Sequence, residues 1–150
     1  MRRGNKRKTG AINRTKVTYD GLIFQSKLEL YCYKQLKLAG IDFKYEQDTY
    51  EIFPSFRHEG RYGKKAARGF SIKDKRVIRA VTYTPDFVSD KHKFIIETKG
   101  YVPSQHSFPL RFKMFLQYCR ANNMGDYAIY IPSNQKQVDE VIKDIVNNSK

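Results

Sequence analysis

Three charged residues near the middle of the chain have the types and spacing for metal-assisted phosphodiester chemistry. Asp86 follows Pro85, and Glu97 and Lys99 close an apolar run that begins at Phe94. Carboxylate oxygens suit a hard divalent cation such as Mg²⁺, while a nearby lysine positions or, as the free amine, deprotonates an attacking water, and as the ammonium offsets charge on a phosphate. In a strand, successive side chains point to opposite faces, so Ile95, Glu97 and Lys99 share one face and Phe94, Ile96 and Thr98 the other. Glu97 and Lys99 therefore point the same way. An acid on so apolar a strand is costly to bury unless a cation or a hydrogen-bonding group meets it, and Lys99 is placed to do so.

Each of these residues also has a purely structural reading. Asp86 after a proline is a common turn former. Glu97 with Lys99 has, as its lesser reading, an ion pair on an edge strand exposed to water. Glu29, three residues after Ser26 at a helix start, completes a Ser-x-x-Glu capping box without any chemistry. Arg111 and Lys113, on the helix after the motif, contact a phosphate in one reading and form a solvated helix face in the other.

Pro85-Asp86 followed by Glu97-Thr98-Lys99 resembles the PD-(D/E)xK nuclease superfamily. Phe24-Gln25-Ser26-Lys27-Leu28-Glu29 is similar to the first-helix glutamate segment of small phage nucleases, including junction resolvases of the endonuclease I type. The run from Arg79 to Phe87 is similar to the strand and turn that present the aspartate in these proteins, and Gly100 falls where their chain leaves the sheet. The resemblance covers roughly residues 22–131. It implies an α/β fold with a mixed central sheet flanked by helices, the αβββαβ restriction-endonuclease-like core. It also implies a catalytic set of Glu29, Asp86, Glu97 and Lys99, in which the three acids hold Mg²⁺ or Mn²⁺ and Lys99 orients the water. The implied activity is metal-dependent hydrolysis of DNA by an endonuclease of phage or mobile-element type, acting on branched or junction DNA as a homodimer. An insertion after Phe53 departs from the resolvase pattern. Two other readings stand beside this one: a non-catalytic nucleic-acid-binding or virion-associated protein on the same fold, and a nucleic-acid-binding protein of unrelated fold.

The charge distribution points to a polyanion as partner. The net charge of +14 sits in two segments: residues 1–19 hold seven Lys or Arg and no acid, and residues 54–81 hold nine against Glu59 and Asp74, so each is +7 and the remainder balances. Lys and Arg at phosphates release condensed counterions, so Arg2, Arg3, Lys6, Arg7 and Lys8 of the first segment and Arg61, Lys64, Lys65 and Arg68 of the second are expected to grip DNA backbone. At 150 residues and 40% hydrophobic the chain suits one core. No run approaches the roughly 18 apolar residues of a membrane helix and no apolar leader is present, so the expected setting is the cytoplasm of a host cell, or a virion. Cys32 and Cys119 stand alone in helix-like patterns and read as buried small hydrophobes in a reducing compartment. His58, His92 and His106 lack metal-ligand spacing.

The elements needed to position this chemistry can be read coarsely. Residues 1–18 lack apolar periodicity and form a mobile arm, and residues 19–150 form the domain. A helix spans 26–39 with Gly40 as its stop. Strands are expected at Ile41–Tyr45, at Tyr50–Phe53, over Val77–Val88 with a break at Pro85, at Phe94–Lys99 and at Tyr127–Ile131. Residues 54–76, rich in Gly and Pro, form a long loop or hairpin. Pro109 is the expected first residue of a helix over Leu110–Asn123 that Gly125 ends, and Ser133 the cap of a last helix.

Overall fold

The computed structural model describes residues 16–100 and 107–149. Arg2, Arg3, Lys6, Arg7 and Lys8 lie outside the described residues. Ordered structure begins before the expected boundary, because β1 (Val17–Tyr19) pairs with β2 (Leu22–Phe24) across Asp20-Gly21. Both turn residues have positive φ, 54° and 73°, the twist that a two-residue hairpin requires and that Asp-Gly supplies with little strain.

Ser26 caps α1 (Lys27–Leu38), its Oγ accepting from the Glu29 N–H at 3.1 Å. At the other end Gly40 is left-handed at φ 66°; its N–H donates to Lys37 O and the Ile41 N–H donates to Leu36 O. These paired bonds satisfy carbonyls the helix leaves open and fold Ile41 back into the core. Ile41 therefore ends the helix motif instead of opening a strand, and β3 is only Lys44–Tyr45.

The segment expected to be a loop or hairpin is one nested antiparallel ribbon. Its rungs are β4 (Tyr50–Phe53), β5 (Phe56–Arg57) and β6 (Arg61–Ala66) going out, and β7 (Gly69–Asp74), β8 (Val77–Ile78) and β9 (Val81–Tyr83) coming back. Tyr50 pairs with Tyr83 at the root and Ala66 with Gly69 at the tip. Register slips near Phe53 and again at Lys75, which has φ 44°, so the ribbon bends while staying paired.

The central sheet follows. β10 (Phe87–Ser89) pairs antiparallel with both β3 and β11 (Phe94–Ile96), and α2 (Phe108–Ala121) carries the chain over to β12 (Ala128–Tyr130), which lies parallel to β11. The strand order is β12-β11-β10-β3. α3 (Gln135–Asn148) closes the chain. Alternation along the strands splits the core in two: Phe87, Phe94 and Ile96 pack with Phe24, Cys32 and Leu36 of the α1 side and with Val138 and Ile145 of α3, whereas Val88 and Ile95 pack with Phe115 and Cys119 of α2. Burying one such large apolar side chain contributes about 1.5–3 kcal/mol, so the two layers fix the sheet from both faces. The result is a mixed α/β sheet flanked by helices. Cys32 and Cys119 are free, buried thiols, held in the protonated form by that burial.

Several boundaries differ from the sequence reading for local reasons. Ser107 precedes α2, which makes Phe108 the first helical residue and Pro109 the second. Asn123, at φ 58°, takes the left-handed position after that helix, ahead of Gly125, and lets the Met124 N–H reach Cys119 O. Asn134 caps α3, not Ser133, with its Oδ1 accepting from the Gln137 N–H at 2.9 Å; Ser133 instead donates its N–H and its hydroxyl to Gln137 Oε1.

Candidate functional site

The sheet register assembles the acids. Continuing the β10–β11 pairing one step beyond Phe87 and Ile96 sets Asp86 opposite Glu97. Continuing the β10–β3 pairing one step beyond Phe87 and Tyr45 sets Glu46 opposite Asp86, and the Glu46 N–H donates to Asp86 O at 2.9 Å. Three neighbouring strands thus end in three carboxylates. Glu29 arrives from the first turn of α1, and one carboxylate oxygen each from Glu29, Glu46 and Asp86 lie within 4.8 Å of one another.

What holds each side chain is specific. Asp86, 8% exposed, accepts both the Thr98 N–H at 2.7 Å and the Thr98 hydroxyl at 2.6 Å on Oδ2. The Thr98 N–H faces β10 at a point where Pro85 breaks the ladder, and the aspartate replaces the missing rung. Glu29, 6% exposed, has two jobs at once: it accepts the Gln25 N–H at 2.9 Å and the Ser26 hydroxyl at 3.3 Å as a capping box, and it accepts Tyr45 OH at 3.0 Å. Capping and membership of the acid cluster coexist because the cap bonds leave the carboxylate facing the sheet ends. Glu97, 7% exposed, accepts Tyr83 OH on Oε2 at 2.9 Å and pairs with Lys99 through Oε1 at 2.8 Å. Lys99 Nζ also lies 4.3 Å from the Phe108 ring centroid, so the root of α2 helps to aim it.

The exposed edge-strand reading of Glu97 and Lys99 is corrected by this arrangement: β11 is interior to the sheet and Glu97 is buried. Regular strand pairing stops at Ile96, but the Glu97 N–H reaches Tyr130 O and the Lys99 N–H reaches Pro132 O, each at 3.0 Å, so the chain stays extended and the two side chains share a face as expected. Asp86 does more than shape a turn, since its carboxylate is buried and ties two strands together. Arg111, exposed in the first turn of α2, weakly opposes the upward shift that burial and Glu97 impose on the Tyr83 hydroxyl. Lys113, two positions later, lies about 200° further round the helix and serves a different surface. Arg61, Lys64, Lys65 and Arg68 are exposed along the distal ribbon, away from the carboxylates in sequence and in strand pairing.

Glu46 is the residue that sequence reasoning missed. It sits just past β3 with φ 46°, in a Tyr-Glu-Gln-Asp turn that carries no motif. Its signal lay only in the pairing: once Tyr45 opposes Phe87, the next residue must oppose Asp86.

Electrostatics show four acids without a full complement of positive charge. Burial first, then the Glu97 carboxylate, with Glu29 adding to it, push Asp86 up to about 8 against the downward pull of the Thr98 bonds. Glu46 is exposed at the rim of the cluster, and partial desolvation, then Glu29 and Glu97, raise it as well. Burial and the Glu29 carboxylate keep Tyr45 protonated, and burial and Glu97 do the same for Tyr83, so both hydroxyls stay donors. Between the ordinary carboxylate range near pH 4 and about pH 8, the folded chain binds more protons at Asp86 and Glu46 than the unfolded chain does. The contribution of these groups to stability is therefore present at low pH and lost as pH rises. The melting temperature of the metal-free protein is expected to fall from pH 5 to pH 8, and millimolar Mg²⁺ or Mn²⁺ to restore it at pH 8 more than at pH 5; equal shifts at both pH values would contradict cation binding at these acids.

Among the described residues no helix is long and apolar enough to cross a membrane. No curated protein and no solved structure gives a match to the chain. Residues 9–127, which contain all four acids, Lys99 and the whole ribbon, match a family described as a protein of unknown function, DUF1064. That span is well over half of the 150 residues, and the chain belongs to this family.

Proposed function

We propose that the chain is a Mg²⁺- or Mn²⁺-dependent endodeoxyribonuclease on a restriction-endonuclease-like core. The observation that carries this is the convergence of Glu29, Glu46 and Asp86, distant in sequence, on one point beside the Glu97–Lys99 pair. The donor set is all carboxylate oxygen, which fits a hard cation; desolvation first and the neighbouring carboxylates second raise Asp86 and Glu46, and a divalent charge would offset both. Both Thr98 bonds fall on one oxygen of Asp86, so the other is the one to meet a cation. When bound, such an ion polarises a phosphate and lowers the pKa of an attacking water.

The remaining work belongs to the chain. Asp86 and Glu29 are fixed by Thr98, Tyr45 and the α1 cap, so the ligands are oriented before any ion or substrate arrives. Glu97, held by Tyr83, aims Lys99, whose ammonium orients the water and stands against the developing charge on phosphate. Arg111 supplies a further cation at the same face. The basic N-terminal segment and the ribbon draw in DNA through its backbone, so binding should weaken steeply with salt.

The test is nicking and linearisation of supercoiled plasmid, and cleavage of a four-way junction beside linear duplex, with Mg²⁺, Mn²⁺ or EDTA. Cleavage with either ion and none with EDTA is expected. Intact DNA across both ions and pH 6–9, with binding preserved, would instead favour a binding protein on this fold.

A further inference from the structure

The distal ribbon has features that backbone gripping does not use. On one of its faces Phe70 and Ile72 are 71% and 57% exposed. A glycine makes room for them: a Cβ at Gly63 would lie 2.5 Å from Phe70 Cε1 and 3.5 Å from Ile72 Cγ1, so the Phe70 ring edge occupies space that a side chain would fill. Strand alternation puts Lys65 on this face and Lys64 and Lys73 on the opposite one. Residues 61–76 hold seven Lys or Arg against Asp74 alone. Two exposed apolar side chains on a strongly basic, two-stranded ribbon need a partner that is anionic outside and apolar within reach.

We infer that β6 and β7 form a groove-reading ribbon that enters the major groove of duplex DNA, with Phe70 and Ile72 against base edges and the flanking lysines on the phosphates. A two-stranded antiparallel ribbon fits the width of that groove, where thymine methyl groups offer apolar contact. Six residues at ~3.3 Å each give a reach of roughly 20 Å, or about six base-pair steps. A second copy of this chain is the poorer occupant, because it would bring a body of net charge +14 against a ribbon of the same sign. The root of the ribbon is β9, which ends at Tyr83, three residues before Asp86, so a seated ribbon also sets where along the duplex the acids stand. This inference rests on the DNA-binding half of the proposed function, with duplex DNA as the ligand, and not on cleavage.

The experiment is binding of a fluorescent duplex by the full chain in EDTA, where cleavage plays no part. Methyl green, which occupies the major groove, is expected to displace the protein, and netropsin, which occupies the minor groove, is not. Phe70→Ser with Ile72→Ser should weaken binding about tenfold or more with the salt slope unchanged, whereas Lys64→Ala should reduce the slope by about one. Both sites are exposed, and an unchanged melting temperature confirms folding. Displacement by netropsin alone, or parental affinity in the double variant, overturns the inference. So does a parental dimer that the double variant converts to monomer with no change in DNA affinity, which would assign the face to self-association. Binding that follows the expected pattern with no cleavage in Mg²⁺ or Mn²⁺ would remove the proposed function and leave the ribbon reading standing.

Discussion

Asp86→Asn is expected to abolish metal-dependent cleavage while making the metal-free protein more stable at pH 8. The two effects have one origin. Asn Oδ1 can still accept the Thr98 N–H and hydroxyl, so the strand tie survives. Its amide then presents hydrogen-bond donors toward Glu29 and Glu46 where the aspartate presented an acceptor, which removes repulsion and the desolvation of a buried charge. The same change removes a carboxylate that a cation needs. Loss of several kcal/mol of transition-state stabilisation corresponds to about 10³-fold or more in rate. Paired measurement of plasmid cleavage and of melting temperature without metal checks both halves. A variant that loses cleavage and also melts lower at pH 8 would show that Asp86 is structural first, and one that cuts at the parental rate would displace the centre from these acids.

Lys99→Met should reduce single-turnover cleavage by about 10²–10³-fold with little change in DNA affinity, the range for loss of one group that stabilises developing charge. Lys99 is one partner of a largely buried pair, so the substitution also leaves Glu97 without its countercharge and lowers the melting temperature. Lys99→Arg separates the two consequences, because a planar guanidinium restores the charge but not the compact ammonium that orients the water. Arginine should recover the melting temperature and leave cleavage low. Equal recovery of both would reduce Lys99 to a partner that merely holds Glu97 in place.

The contrast between Glu46 and Asp86 shows how far the sequence could be read. Asp86, Glu97 and Lys99 are local in the chain, joined by a strand, a turn and a strand whose alternation is visible, so their shared face follows from period two. Glu29 is marked by Ser26. Glu46 depends on a pairing between β3 and β10 whose partners are about forty residues apart, and no local pattern encodes it. The same holds for the ribbon: Gly and Pro punctuation announced a loop or hairpin, while the nested register and the Phe70–Gly63 contact arise only when both strands are laid side by side. Helix ends misread by one or two residues are those where Asn or Ser competes with a neighbouring Gly or Pro for the cap.

Because β6 and β7 pair residue for residue from Arg61–Asp74 to Ala66–Gly69, the outer part of the ribbon keeps its register only when its length changes in matched steps. Removing two residues from each strand near the tip would retract the end by about 7 Å and keep every remaining side chain on its side, while removing one from a single strand would turn all the outer residues over. The span of the outer ribbon can thus be shortened or extended two residues per strand at a time without disturbing the joint at Tyr50 and Tyr83 from which it is hung.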